Sequence, residues 1–143
     1  MKVNFYDEVE DGLLKFAVIV VVYQNKLVFC KHRQRETFEI PGGHRENNET
    51  ILACAKRELY EETGALEYFI EPICVYSIIG KNRVNDSGEE MFGMLFFADV
   101  QVFEKNLYNE IEKIYLFDNL PERWTYPKIQ PILLKEVLKR KNM

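Results

Sequence analysis

An α/β sandwich folded as one domain over residues 1–143 is the expectation for this sequence, and three observations carry it. Runs dense in β-branched and aromatic residues, at 14–23 and 91–103, read as buried strands. Two stretches far apart in the chain, 50–62 and 127–141, space their apolar residues as helices do. At 47% hydrophobic and 13% aromatic, 143 residues have ample material for one core. No repeat, low-complexity segment or linker interrupts them. Strands mixed with two separated helices define the layered α/β class.

Residues 3–6 read as a short edge strand. Residues 14–23 (LKFAVIVVVY) read as a central strand buried on both faces. Gln24, Asn25 and Lys26 form a tight polar turn, and 27–31 return as the second strand of a hairpin. A cationic cluster follows: Lys31, His32, Arg33 and Arg35. Phe38, Glu39 and Ile40 are extended, because Pro41 biases the residue before it that way. Gly42 and Gly43 then permit a sharp turn and a close backbone approach to a ligand. Thr50 is the expected N-cap of the first helix, with Leu52, Ala55 and Leu59 on its core stripe. Thr63 and Gly64 stop it, Gly64 taking the left-handed position. Residues 66–80 read as a strand kinked at Pro72. Residues 81–90 (KNRVNDSGEE) read as a polar loop. Strands are expected at 91–103 and 110–117, with a bend at Leu120 and Pro121. The terminal helix, 127–141, carries Ile129, Ile132, Leu133, Val137 and Leu138 as its stripe.

Net charge is −4 with a pI near 5.3, which argues against a nonspecific nucleic-acid binder. Cys30, Cys54 and Cys74 are odd in number and form no CxxC, so neither a disulfide framework nor a zinc site is expected. They read as buried thiols of a reducing compartment. Residues 1–11 hold acids and no apolar signal core. The longest apolar run, residues 16–23, is too short to span a bilayer. A cytoplasmic protein with no membrane partner is therefore expected.

The chemistry concentrates in residues 43–65. Glu58, Glu61 and Glu62 are spaced i, i+3 and i+4, so one helical face carries all three carboxylates. Like charges at that spacing repel. A hard divalent cation offsets the cost, since Mg²⁺ takes oxygen ligands from a few carboxylates plus substrate phosphates. Such faces also occur solvated, although those usually mix lysine in at i+4.

This stretch resembles the Nudix box, G-x5-E-x7-R-E-U-x-E-E-x-G-U, where U is a bulky aliphatic residue. Gly43, Glu49, Arg57, Glu58, Leu59, Glu61, Glu62 and Gly64 fall in register. Ala65 stands where the pattern has a bulky aliphatic, which implies a small packing change. The approach through residues 38–43 and the exit at Leu120 and Pro121 resemble MutT-like Nudix hydrolases. The resemblance implies a Nudix-type α/β/α sandwich with a mixed central sheet. It implies hydrolysis of a nucleoside diphosphate linkage with Mg²⁺ or Mn²⁺. That chemistry suits the residues, because cations neutralise a charged diphosphate and acidify water.

By the same resemblance Glu61 and Glu62 are metal ligands, and the Gly43 carbonyl faces a metal. Glu58 is either a ligand or the general base, which the sequence leaves open. Arg57 orients a carboxylate, with Glu49 or Glu58 as partner, a task for a planar guanidinium. Glu89 and Glu90 are candidates for a further carboxylate from outside the box, or a solvated acidic loop. Arg33 and Arg35 are candidate phosphate contacts, or an exposed strand end. His44 follows the glycines and is a candidate substrate donor; it and His32 read equally as surface histidines. Trp124 and Tyr126 are core aromatics or a stacking platform for a nucleobase, with Phe5, Tyr6 and Phe38 as weaker candidates.

A nucleoside triphosphate, oxidised forms such as 8-oxo-dGTP included, is the leading substrate expectation, cleaved to monophosphate and pyrophosphate. ADP-ribose, dinucleoside polyphosphates and an RNA 5′ end are the alternatives, as is a non-hydrolytic nucleotide-binding module. Small nucleotides are the expected partners, without a stable nucleic-acid complex. Many relatives are homodimers, though no dimerisation element is read here.

Overall fold

A computed structural model describes residues 1–81, 87–104, 111–117 and 120–143, with 111–117 described through their backbone. Its strands are β1 (Lys2–Tyr6), β2 (Leu14–Tyr23), β3 (Lys26–His32), β4 (Gly42–His44), β5 (Ala65–Ile79), β6 (Met91–Phe103) and β7 (Ile111–Phe117). The helices are α1 (Ile51–Thr63) and α2 (Gln130–Arg140). One sheet holds the strands in the order β1-β5-β6-β2-β3-β7, with β4 paired to β2 off that path. Among the described strands β2 and β6 run parallel and the other pairs are antiparallel, so the sheet is mixed.

The alternation of β2 explains the layers. Val18, Val20 and Val22 point into one core with Ile129, Leu133, Leu134 and Val137 at the terminal helix. Ala17, Ile19 and Val21 point into the other with Cys54, Ala55 and Leu59 of α1. A strand buried on both faces needs apolar residues at every position, and β2 supplies them. Gln24 and Asn25 alone close the β2–β3 hairpin, both at positive φ (49° and 65°), and Lys26 already pairs with Tyr23. Pro72 sits at a register shift in the β5–β6 ladder, where the bulge absorbs its missing N–H.

Four expectations need correction. Leu52 is 41% exposed; it lies one residue, about 100° of helical rotation, off Ile51. Cys54 takes its place in the core. Ile132 is likewise exposed, and Leu134 fills the core beside Leu133. The terminal helix starts at Gln130, with Pro131 in its first turn, and residues 127–129 form the turn before it. Gly42 and Gly43 form no sharp turn: they pair with Val18 and Ala17 as β4. Of the loop expected at 81–90, residues 82–86 lie outside the described residues, as does Glu110.

Candidate active site

Helix α1 is held at both ends by the residues its sequence offers. Thr50 Oγ1 accepts the Ala53 N–H at 3.0 Å, and Gly64 closes the other end at φ 74°. Thus fixed, α1 turns Ala55, Leu59 and Glu62 inward. Glu62 is 8% exposed, and its Oε1 accepts the Gly42 N–H of β4 at 2.6 Å. Gly43 lies so close to Glu58 that a Cβ there would strike the Glu58 carboxylate. Absence of a side chain, not an unusual φ, is what this position requires.

Arg57 gathers the carboxylates. Its Nε and Nη2 bind Glu49 as a fork at 2.7 and 3.0 Å. Nη1 reaches Glu58 at 2.8 Å and Glu61 at 3.3 Å, and Nη2 also bonds the His44 carbonyl at 2.9 Å. Both candidate partners, Glu49 and Glu58, are therefore engaged. The hydrogen bond from Arg57 holds Glu49 down at about 2. Burial raises Glu58 above the ordinary glutamate range, against the pull of Arg57. Burial raises Glu62 further, and Glu58 and Glu39 nearby add to it. Beneath, the Cys54 thiol lies 3.8 Å from the Gly43 carbonyl, and burial pushes it up to about 12.

A cleft of about 510 Å³ opens beside this helix. Glu58, Glu62, Arg57 and Gly43 line it together with the apolar Phe16, Tyr76, Ile78, Tyr126 and Leu133. Arg35 and His44 also border it. Arg35 bonds Glu39 at 3.2 Å, and the His44 ring packs 4.5 Å from that of Phe16. Arg33 is exposed after β3 and does not line the cleft. Trp124 does not line it either; its ring meets Phe29 edge-on at 5.4 Å, and its backbone bridges to Phe38. Phe5 and Phe38 pack against the core on that side. Glu89 and Glu90 are exposed and outside the lining. Glu90 instead accepts from Tyr6 at 2.7 Å and Ser77 at 2.6 Å, tying β1 to β5.

The model of the NUDIX domain family matches residues 13–133. The chain belongs to the NUDIX domain family. It is 28% identical over 137 residues to the Bacillus subtilis (strain 168) protein named "Putative 8-oxo-dGTP diphosphatase YtkD", covering 95% of this chain and 82% of that one. A crystal structure of the Bacillus subtilis pyrophosphohydrolase BsRppH, in mutant form, superposes with a TM-score of 0.75 at 25% identity, covering 96% of this chain and 90% of that one. A UDP-X diphosphatase structure gives 0.70 at 17%, over 90% and 63%, a likeness of fold. This chain is a Nudix pyrophosphohydrolase, with the mixed-sheet α/β/α sandwich of its neighbours. Among its described residues, no helix is long and apolar enough to cross a membrane.

Nudix hydrolases work with divalent metal ions, and the donors of this member fit one. Glu58, Glu61 and Glu62 offer hard oxygens from one helix. Glu62 Oε1 has its donor, whereas Oε2 receives no hydrogen bond among the described residues and is not sealed from the cleft. Burial beside Glu58 and Glu39 makes the charged form of Glu62 costly without a cation.

Two lining residues, Glu39 and Gln130, escaped the sequence reading. Glu39 is 6% exposed and reaches His32 at 3.0 Å. Its signal was a charge inside an extended run between Phe38 and Ile40. Cys30 lies directly behind it, paired backbone to backbone. Gln130, also buried, accepts the Ile40 N–H through Oε1 at 2.7 Å and fastens α2 to the strand before the glycines. Nothing local in the sequence marks Gln130 for that contact, 90 residues away.

Proposed function

We propose that this Nudix pyrophosphohydrolase cleaves a nucleoside triphosphate, 8-oxo-dGTP included, to monophosphate and pyrophosphate. The observation that carries this reading is that one cleft is lined both by box carboxylates and by aromatic side chains. At about 510 Å³ it has the size range of a small-molecule site. The base would lie against the apolar lining, with Tyr126 the better-placed stacking residue than Trp124. The phosphates would run past Arg35 and His44 toward α1, leaving Arg33 in solvent. The likeness to YtkD supports the substrate class.

Glu61, Glu62 and the Gly43 carbonyl would hold Mg²⁺ or Mn²⁺. When bound, that cation supplies charge neutralisation along the diphosphate and acidifies water for attack. The chain's own residues do the rest. Arg57 fixes Glu49 and Glu58 in place through its fork. Glu58, raised by burial and bonded to Arg57 through Oε1, presents Oε2 to take a proton from the attacking water. Phe16 and Tyr76 supply an apolar wall against which a base could pack.

A second reading, removal of pyrophosphate from an RNA 5′ end, is favoured by the likeness to BsRppH. Pyrophosphate release from canonical and 8-oxo nucleotides, with 5′-triphosphate RNA, ADP-ribose and dinucleoside polyphosphates in parallel, tests both. Turnover highest on 8-oxo-dGTP or another triphosphate supports the first reading. Turnover on RNA alone replaces it with the second, and turnover on none, with Mg²⁺ or Mn²⁺, sinks both.

A further inference from the structure

We propose that the Tyr76 hydroxyl is a specificity-determining contact, hydrogen-bonding a polar atom on the edge of the substrate's base. Tyr76 stands on β5 and pairs with Gly93 of β6, and Gly93 pairs on its other side with Phe16 of β2. The far end of the Tyr76 ring lies over Gly93: a Cβ there would come within 2.6–2.7 Å of Cε1, Cζ and the hydroxyl oxygen. The missing side chain of Gly93 is what lets the ring lean across β6. Tyr76 and Phe16 both line the cleft.

Tyr76 is 3% exposed, yet its hydroxyl has no hydrogen-bond partner among the described residues. Every fully sealed side-chain oxygen of those residues has a partner, so this hydroxyl is not sealed, and the opening beside it is the cleft that Tyr76 lines. A buried tyrosine usually finds a partner for its O–H. Here the partner has to arrive through the cleft, as water when the cleft is empty and as ligand when it is filled. Packing beside Phe16, Val18 and Leu133 needs the ring alone, which phenylalanine would supply as well. Tyr126, the other tyrosine of the lining, is more exposed and can meet solvent. A hydroxyl gives one hydrogen bond and accepts two, so it can meet a carbonyl oxygen or an N–H of a base. A polar atom set on an apolar wall fixes a ligand's orientation. It also separates one base from another, because a base with no matching atom leaves the hydroxyl unpaired. This inference rests on the reading that a nucleotide occupies the cleft.

The test is equilibrium binding of dGMP, 8-oxo-dGMP, dAMP, dCMP and dTMP to the full chain, wild type against Tyr76→Phe. The variant keeps the ring and is expected to melt no lower than wild type. It should weaken the best-bound monophosphate by about 3–10-fold and the worst-bound little, so that the spread of Kd values narrows by the same factor. On triphosphates it should raise KM for the preferred base with kcat little changed. Equal weakening of all five would make Tyr76 a packing residue or a sugar or phosphate contact, and overturns the proposal. An unchanged spread overturns it too, as does a wild type that binds all five alike or none of them. Binding of monophosphates is read without turnover. A chain that hydrolyses no triphosphate, but whose spread narrows in Tyr76→Phe, would sink the hydrolysis reading and leave this one standing.

Discussion

Glu49 and Glu62 are carboxylates of one helix motif, Glu49 half-buried and Glu62 buried, and their surroundings push them in opposite directions. Glu49 has the Arg57 fork and titrates at about 2 against an ordinary 4.5. Between those values the unfolded chain binds more protons at this position than the folded one. Its contribution to stability is complete above about pH 4.5 and disappears as pH falls toward 2. Glu49→Gln is therefore expected to melt below wild type at pH 7, with the gap closing as the buffer is taken below 4.5. A gap of constant size from pH 7 to pH 3 would refute this. Glu62 has no such partner, and burial raises it. Its sign is the reverse: stability is full below the ordinary 4.5 and is lost as pH rises toward the folded value. Glutamine keeps the Oε1 acceptor for Gly42 and removes the charge. In chelator at pH 7, Glu62→Gln should thus melt no lower than wild type, while hydrolysis with Mg²⁺ falls at least about 10²-fold, since metal stabilisation is worth several kcal/mol. A lower melting point together with normal turnover would reject Glu62 as a buried, metal-directed charge.

At the scale of elements, what could be read from sequence was what neighbours in sequence decide. Thr50 and Gly64 were legible as helix ends because capping depends on a hydroxyl three residues from its donor and on a residue that tolerates positive φ. Thr50→Ala is expected to cost about 1 kcal/mol. Gly64→Ala, at φ 74°, should cost ~1–2 kcal/mol. Each lowers the melting temperature by roughly 2–8 °C, and neither should alter KM. A Gly64→Ala protein as stable as wild type would mean that the chain turns there in some other way. Rotation of the helix was not legible. An apolar stripe through Leu52 looked as good as one through Cys54 until the sheet fixed which face is inward. That inward face also carries Glu62, a residue hydrophobicity would never place there. The start of α2 failed for a related reason: Pro127 is a fair first residue for a helix, but Phe38 pairs with Arg123 and Thr125 and sets where the chain can begin to coil.

Across the whole molecule, the box was legible because it is contiguous, and the cleft was not because it is assembled. The parallel β2–β6 pairing joins Val18 to Leu95, and the antiparallel β5–β6 pairing lays Tyr76 alongside Gly93, contacts with no local signature. Glu39 meets Glu62, and Gln130 meets Ile40, only through that assembly. The same assembly makes the carboxylate site a concern of global stability. Helix α1 is one outer layer of the sandwich, and it packs Ala55, Leu59 and the charged Glu62 against the sheet side of β2 and β4. Repulsion among Glu58, Glu61 and Glu62 is only partly met by Arg57, which reaches Glu58 and Glu61 and has no bond to Glu62. A divalent cation that binds the folded state alone removes that penalty and adds its own binding energy. At a hundred times its dissociation constant the gain is about 2.7 kcal/mol, or roughly 5–20 °C in melting temperature. Mg²⁺ or Mn²⁺ should therefore raise the melt of metal-free protein by that amount, chelator should reverse it, and KCl of equal ionic strength should reproduce little, because screening is not coordination. The increment should shrink in Glu62→Gln and persist in Thr50→Ala, which is weakened elsewhere on the same helix. A melting curve indifferent to both cations would show that the crowded face of α1 is stable by itself and that no ion is needed to complete it.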